Sequence, residues 1–283
     1  QALVINREIG SRQGEAVNLG NLGIIYNDVG QIDRAIECYK QALVINREIG
    51  SRHGEAKNLG NLAEVYIFLG QIDQAIEYSE QALVIDREIG DLSDEAVDLS
   101  NLGMAQATKG NYANALDNLI SSIQIAQKIR STRDICSASI YLAHIYLQMG
   151  RLEDAFNVVE EAGKYDVPEY NHILATLHGV ILTCSTKSAA TAFSAAISFA
   201  NIILERTPTY FTALYARALA HAGLSLVQNS TINEAQRDYE TALKICAAKG
   251  VINEQVQRLE NLIKLENGEK LVPLRELLMP YMK

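Results

Sequence analysis

Tryptophan is missing from this sequence, and proline occurs only four times in 283 residues. A chain so poor in proline suits long helices and argues against a turn-rich β architecture. Cysteine is equally sparse: Cys38, Cys136, Cys184 and Cys246 stand far apart, with no Cys-x-x-Cys pair. That indicates neither a disulfide framework nor a cysteine-based zinc site, and reads as reduced thiols in a cytoplasmic protein. No apolar run approaches the ~20 residues needed to cross a bilayer, and no charged start with an apolar core marks a signal peptide. Basic stripes are also lacking. Residues 1–160 hold 22 acidic against 13 basic side chains, and 161–283 hold 12 of each. Phosphate contacts dominate nucleic-acid affinity, so neither nucleic acid nor membrane is expected as a partner.

What the sequence has is repetition. Residues 11–50 and 51–90 align without a gap and agree at 27 of 40 positions. The register continues with drift: Leu22, Leu62, Leu102 and Leu142 align, as do Gly30, Gly70, Gly110 and Gly150, and Ala35, Ala75, Ala115 and Ala155. Within one period, Leu19, Leu22, Gly23 and Tyr26 fall on one helical face, which Gly30 terminates. A second stripe runs through Ile32, Ala35, Ile36, Tyr39, Ala42 and Leu43. Each period is therefore a helix hairpin, with small residues such as Gly23 and Ala35 placed where two helices must approach closely.

The order Leu19, Leu22-Gly23, Tyr26, Gly30, Ala35, Tyr39 and Ala42-Leu43 resembles the tetratricopeptide repeat (TPR). The 40-residue length, the segment Asn18-Leu-Gly-Asn-Leu22 and the connector after Arg47 look like the variant found in kinesin light chain, in Leu-Gly-Asn spindle adaptors and in bacterial signalling arrays. The resemblance implies an all-α, right-handed α-solenoid, a superhelix of antiparallel hairpins whose first helices line a concave wall. It also implies a protein-interaction module without enzymatic activity, a scaffold or sensor arm that binds a peptide or protein segment.

Organisation along the chain follows from where the pattern holds. Residues 1–164 read as the regular array, entered inside a repeat, which points to a piece of a longer protein. Residues 165–250 read as degenerate hairpins, with helices expected over 169–184 and 188–206 and the pattern returning at Leu214, Ala218, Ala235, Tyr239 and Ala242. Residues 251–283 read as a closing helix and an apolar tail. The tail is read as cap packing, a link to a further domain or a segment folding back into a groove.

Candidate chemistry is thin. His172 and His178 are six residues apart and cannot share a helix face, no His-Glu-x-x-His grouping occurs, and Gly20 and Gly23 belong to helix packing rather than a phosphate loop. No cofactor, metal or catalytic site is read. What remains is the wall opposite the core stripe: Asn21, then Lys57, Asn61, Glu64 and Phe68, then Asn101 and Met104, then Tyr141 and His144. Asn21, Asn61 and Asn101 recur at one period, and the family commonly uses such an Asn to clamp a bound main chain, which its amide suits by both donating and accepting. The alternative is an amide that bonds the neighbouring helix. With Lys57 as the one basic residue on that wall, a clamp for a terminal carboxylate is not expected. Self-association and a ligand-sensing regulatory domain remain the other readings.

Overall fold

The computed structural model describes residues 2–185 and 187–282. Among them the chain is all-α. The helices are α1 (Ala2–Glu8), α2 (Arg12–Asp28), α3 (Ile32–Glu48), α4 (Arg52–Leu69), α5 (Ile72–Ile89), α6 (Leu92–Thr108), α7 (Tyr112–Ile129), α8 (Thr132–Gln148), α9 (Leu152–Ala162), α10 (Pro168–Cys184), α11 (Ala190–Arg206), α12 (Phe211–Gln228), α13 (Asn233–Ile245), α14 (Lys249–Ile263) and α15 (Val272–Leu278). They form two compact units, one through Asp134 and one from Ile135 onward. None of the described helices is long and apolar enough to cross a membrane.

In the first unit, α2 pairs with α3, α4 with α5 and α6 with α7, and each hairpin stacks on the next through α3 with α4 and α5 with α6. The stripes seen in the sequence become the core: Leu19, Ala35, Tyr39 and Ala42, with their counterparts Leu59, Ala75 and Ala82, are buried. Close approach explains the glycine. A Cβ on Gly23 would lie 2.4 Å from the Tyr39 ring, so the tyrosine fills the space a side chain would take. The same device returns in the second unit, where Phe193 of α11 fills the space beside both Gly179 and Gly223. There a half-buried Arg217 stands at a position that holds Leu in the regular repeats. Its guanidinium meets Asp238 through two hydrogen bonds of 2.8 and 2.6 Å.

Charged side chains tie successive hairpins together. Glu55, in the first turn of α4, accepts from Arg47 and Arg52, both at 2.8 Å, and Arg52 reaches on to Glu88. Arg7, Arg12, Glu15 and Glu48 repeat the arrangement one period earlier.

Helix ends follow a 20-residue beat. Gly10, Gly30, Gly50, Gly70, Gly90, Gly110 and Gly150 all have positive φ, where glycine carries no Cβ penalty. At the missing beat stands Arg130, with φ of 58°. Arg130→Gly should therefore stabilise the first unit by roughly 1 kcal/mol, read as a higher denaturant midpoint with an unchanged slope.

The expected helices over 169–184 and 188–206 are present as α10 and α11. The closing helix α14 packs on α12, the first helix of the last hairpin, and also on α10, while α15 packs on α13 and α14. The physical reason is the breadth of the buried face of α14: Val251, Ile252, Gln255, Val256, Arg258, Leu259 and Leu262 span too much of the helix for one neighbour to cover. The apolar tail accordingly becomes α15, flanked by two short 3-10 turns, with Leu271, Leu274 and Leu278 buried.

Candidate functional site

The first helices of the hairpins lie side by side in the first unit, α2 against α4 and α4 against α6, and present a common wall away from α3, α5 and α7. On α2, Val17, Asn21, Ile24 and Asp28 are exposed. On α4, Lys57 is exposed, whereas Asn61, Glu64 and Phe68 are half-buried. These residues share a wall because they recur at i, i+3 or i+4, and i+7 on the face opposite Leu19, Leu22 and Tyr26 or their counterparts.

On α6 the register is the same but the exposure differs. Val97 is open, while Asn101 and Met104 are buried. The Asn101 amide donates to the backbone carbonyl of Gly60 on α4, at 3.4 Å. It also donates to Asp98, and so helps hold that carboxyl's charge. Asn21 is thus exposed and Asn61 half-buried on the wall, whereas Asn101 joins two helices. In the second unit, Tyr141 is half-buried and His144 fully buried, its Nε2 3.1 Å from Gln257 Oε1 of α14.

The wall is acidic at its centre. Burial first, and then the negative charge of Asp28, push Glu64 up to about 7 against the opposing pull of Arg133. A carboxyl so placed gains from any cation that reaches it. Apolar surface flanks it: Val17 and Val97 are exposed, and Ile24 is 39% exposed. Hydrogen-bonding amides, a tunable acid and aliphatic patches on one face can hold an extended or helical segment by its main chain and by a few side chains.

Two further groupings come into view. His53 Nδ1 lies 3.0 Å from Asp91 and 3.7 Å from Asp94, close enough together to share a cation. Asp91 is already the N-cap of α6, accepting from the backbone of Ser93 and Asp94, and His53 is exposed, which is the geometry of a surface ion pair. In the second unit a cleft of about 540 Å³ is bordered by Lys164, Asp166, Asn171, His178 and Phe199. Its polar groups pair locally, His178 with Glu160 at 3.3 Å and Asn171 with Asp166 at 2.7 Å. Neither grouping is legible in the sequence, because His53 and Asp94 belong to the first helices of successive hairpins and the cleft draws on α9, α10 and α11, so packing rather than a motif brings the residues together.

The chain is similar in structure to several solved proteins. A Rap protein solved in complex with competence and sporulation factor matches with a TM-score of 0.69 at 17% identity, over 97% of this chain and 78% of that one. The apo form of RapI matches with a TM-score of 0.61 at 16% identity, over 81% and 82% of the two chains. A signal-transduction ATPase from Pyrococcus horikoshii with a tetratricopeptide repeat sensor matches with a TM-score of 0.56 at 15% identity, over 95% of this chain and 43% of that one. No curated protein matches the chain. The tetratricopeptide repeat family pattern matches residues 14–88 and 94–162, just over half of the sequence. With the hairpins, the 20-residue glycine beat and the Gly–Tyr packing seen above, the chain belongs to the tetratricopeptide repeat family.

Proposed function

We propose that the wall of α2, α4 and α6 receives a peptide or a segment of another protein, and that the chain serves as a non-catalytic scaffold or sensor arm. The observation that carries this reading is the pair Asn21 and Asn61. They repeat on one face, accessible and exposed or half-buried, between aliphatic surface and the Asp28–Glu64 acidic centre. An amide that donates and accepts matches an extended main chain whatever its sequence, while the flanking groups choose the side chains. The acidic centre favours a segment with a basic residue. The Rap protein with a similar fold was solved with competence and sporulation factor bound, which supports a peptide as the class of ligand.

Peptides selected from a random display library against the intact chain provide the test. Asn61→Ala should weaken the selected peptides about tenfold, the loss of one to two hydrogen bonds, without moving the melting midpoint. Asn101→Ala should lower the midpoint instead, because its amide links α6 to Gly60. Selected peptides that bind equally well to Asn61→Ala would refute the assignment.

A further inference from the structure

The second unit has its own version of the wall, and it is occupied by the chain itself. Gly179 faces Phe193 as Gly23 faces Tyr39, which sets the register of α10 on α2. Cys184 then stands where α2 has Asp28, and Leu177 and Val180 stand where α2 has Asn21 and Ile24. On α8, whose Ala143 aligns with Gly23, His144 and Gln148 take the places of Ile24 and Asp28. Three of these wall positions touch α14 directly. Gln257 bonds both His144 and Gln148, and Cys184 Sγ lies 3.9 Å from the carbonyl oxygen of Asn261. Where the α2 residues are exposed, Leu177 and Val180 are wholly buried.

The seat is a poor one in polar terms. Gln255 and Arg258 are buried on the inner face of α14, yet Gln255 Oε1, Arg258 Nε and Asn261 Nδ2 have no hydrogen-bond partner. Across from them, His144 Nδ1 and both ring nitrogens of His172 are also unpartnered. Orphaned polar groups of this number at one helix's interface weaken it relative to the α12–α13 hairpin, where the unpartnered side-chain atoms among the described residues are Thr212 Oγ1 and the Tyr239 hydroxyl and where Arg217 pairs with Asp238. A helix held less firmly than its bed opens locally, without unfolding the rest.

We infer that α14 is a resident, exchangeable occupant of the second unit's wall, and that the wall is a docking surface for an amphipathic helix of another protein with the same pattern. That pattern is an aliphatic stripe at i, i+4 and i+7, as in Ile252, Val256 and Leu259, with an amide or cation one position beyond the second anchor. Such a partner gains only what remains after α14 is displaced, so its apparent affinity scales with the fraction of chain in which α14 is open. This inference goes beyond the reading of the first wall and concerns different residues.

The test uses the intact chain and a fluorescent synthetic peptide with the sequence of residues 249–263. Hydrogen exchange should show α14 amides exchanging at least tenfold faster than those of α10 and α12. The peptide should bind saturably, and Gln257→Ala in the chain, which removes the bonds to His144 and Gln148, should strengthen that binding about tenfold. The circular dichroism spectrum confirms that the variant remains folded. Binding should survive Asn61→Ala, which separates this wall from the first. The inference is overturned if α14 exchanges only together with α10 and α12, if the peptide fails to bind Gln257→Ala saturably, or if Asn61→Ala abolishes its binding.

Discussion

Asp98→Asn is expected to raise the melting midpoint of the first unit by several degrees at pH 7.5 and to leave it unchanged near pH 4. Asp86, near the end of α5, and Asp98, in α6, are both buried, with 0% and 2% exposure. Gly60 makes the space, since a Cβ there would fall 2.3 Å from Asp98 Oδ1. The two carboxyls lie within hydrogen-bonding reach of each other, and neither Asp86 oxygen has another donor, so a bond forms only when one of them carries a proton. Burial is the first cause of the shift in each. Asp86 is pushed up from 3.8 to about 6, opposed by the bond to Asp98, and Asp98 is raised well above the ordinary carboxyl range. A folded-state pKa above the unfolded value means that the folded chain binds more protons in between. Stability is then complete below about pH 4 and declines as pH rises through 6 and beyond. The loss grows as pH rises through 6 toward 7.5, because each unit between the folded and unfolded values is worth about 1.4 kcal/mol. The introduced asparagine would donate its amide hydrogen to Asp86 at every pH, which recovers that loss and flattens the profile. An Asp98→Asn midpoint that tracks the wild type from pH 4 to pH 8 would contradict the argument.

The pair also shows where sequence reading succeeds and where it stops. Positions twelve apart across each repeat boundary match in type: Asn6 with Asn18, Asn46 with Asn58, Asp86 with Asp98, Ala126 with Ala138. That correlation is visible in the sequence, but its meaning needs the stacking of α5 on α6. The hairpins themselves are legible because Leu19, Gly23, Tyr39 and Ala42 repeat with the helical period, and a period is a one-dimensional signal. Exposure is not. Asn61 and Asn101 occupy one register position, yet only Asn101 is buried, since burial depends on what the following helices cover. The course of α14 is hidden for a related reason. Gln255 and Arg258 are polar residues that end up inward, so the stripe of Ile252, Val256 and Leu259 marks only part of the face that the helix buries. Register alone puts His144 on the wall, whereas its partner Gln257 lies 113 residues away.

Acid should act on the second unit in the opposite sense, and His172→Phe should remove much of the effect. His172 is fully buried on α10 with its ring edge-on to Tyr210 at 6.4 Å, and neither ring nitrogen has a hydrogen-bond partner. Burial, followed by the positive charge of Arg258, holds it down from 6.5 to about 4. His144 is held down to about 4 as well, by burial first and then Arg258, against the raising influence of Glu254 and of the bond to Gln257. A histidine whose folded pKa lies below its unfolded value stabilises the fold fully above about pH 6.5, and that contribution is lost as pH falls toward 4. Between those limits each ring is worth on the order of 2–3 kcal/mol, because protonation would place a second cation beside the buried Arg258. Phenylalanine keeps the aromatic contact with Tyr210, takes up no proton and leaves no ring nitrogen unpaired. Hydrogen exchange followed peptide by peptide from pH 4.5 to pH 7.5 should show the protection of α10, α12 and α14 falling with acid in the wild type and falling about half as far in His172→Phe. Over the same range the protection of α5 and α6 should rise with acid, because the Asp86–Asp98 pair gains its proton. Parallel slopes in the two sets of helices would show that neither buried group governs the stability of its own unit.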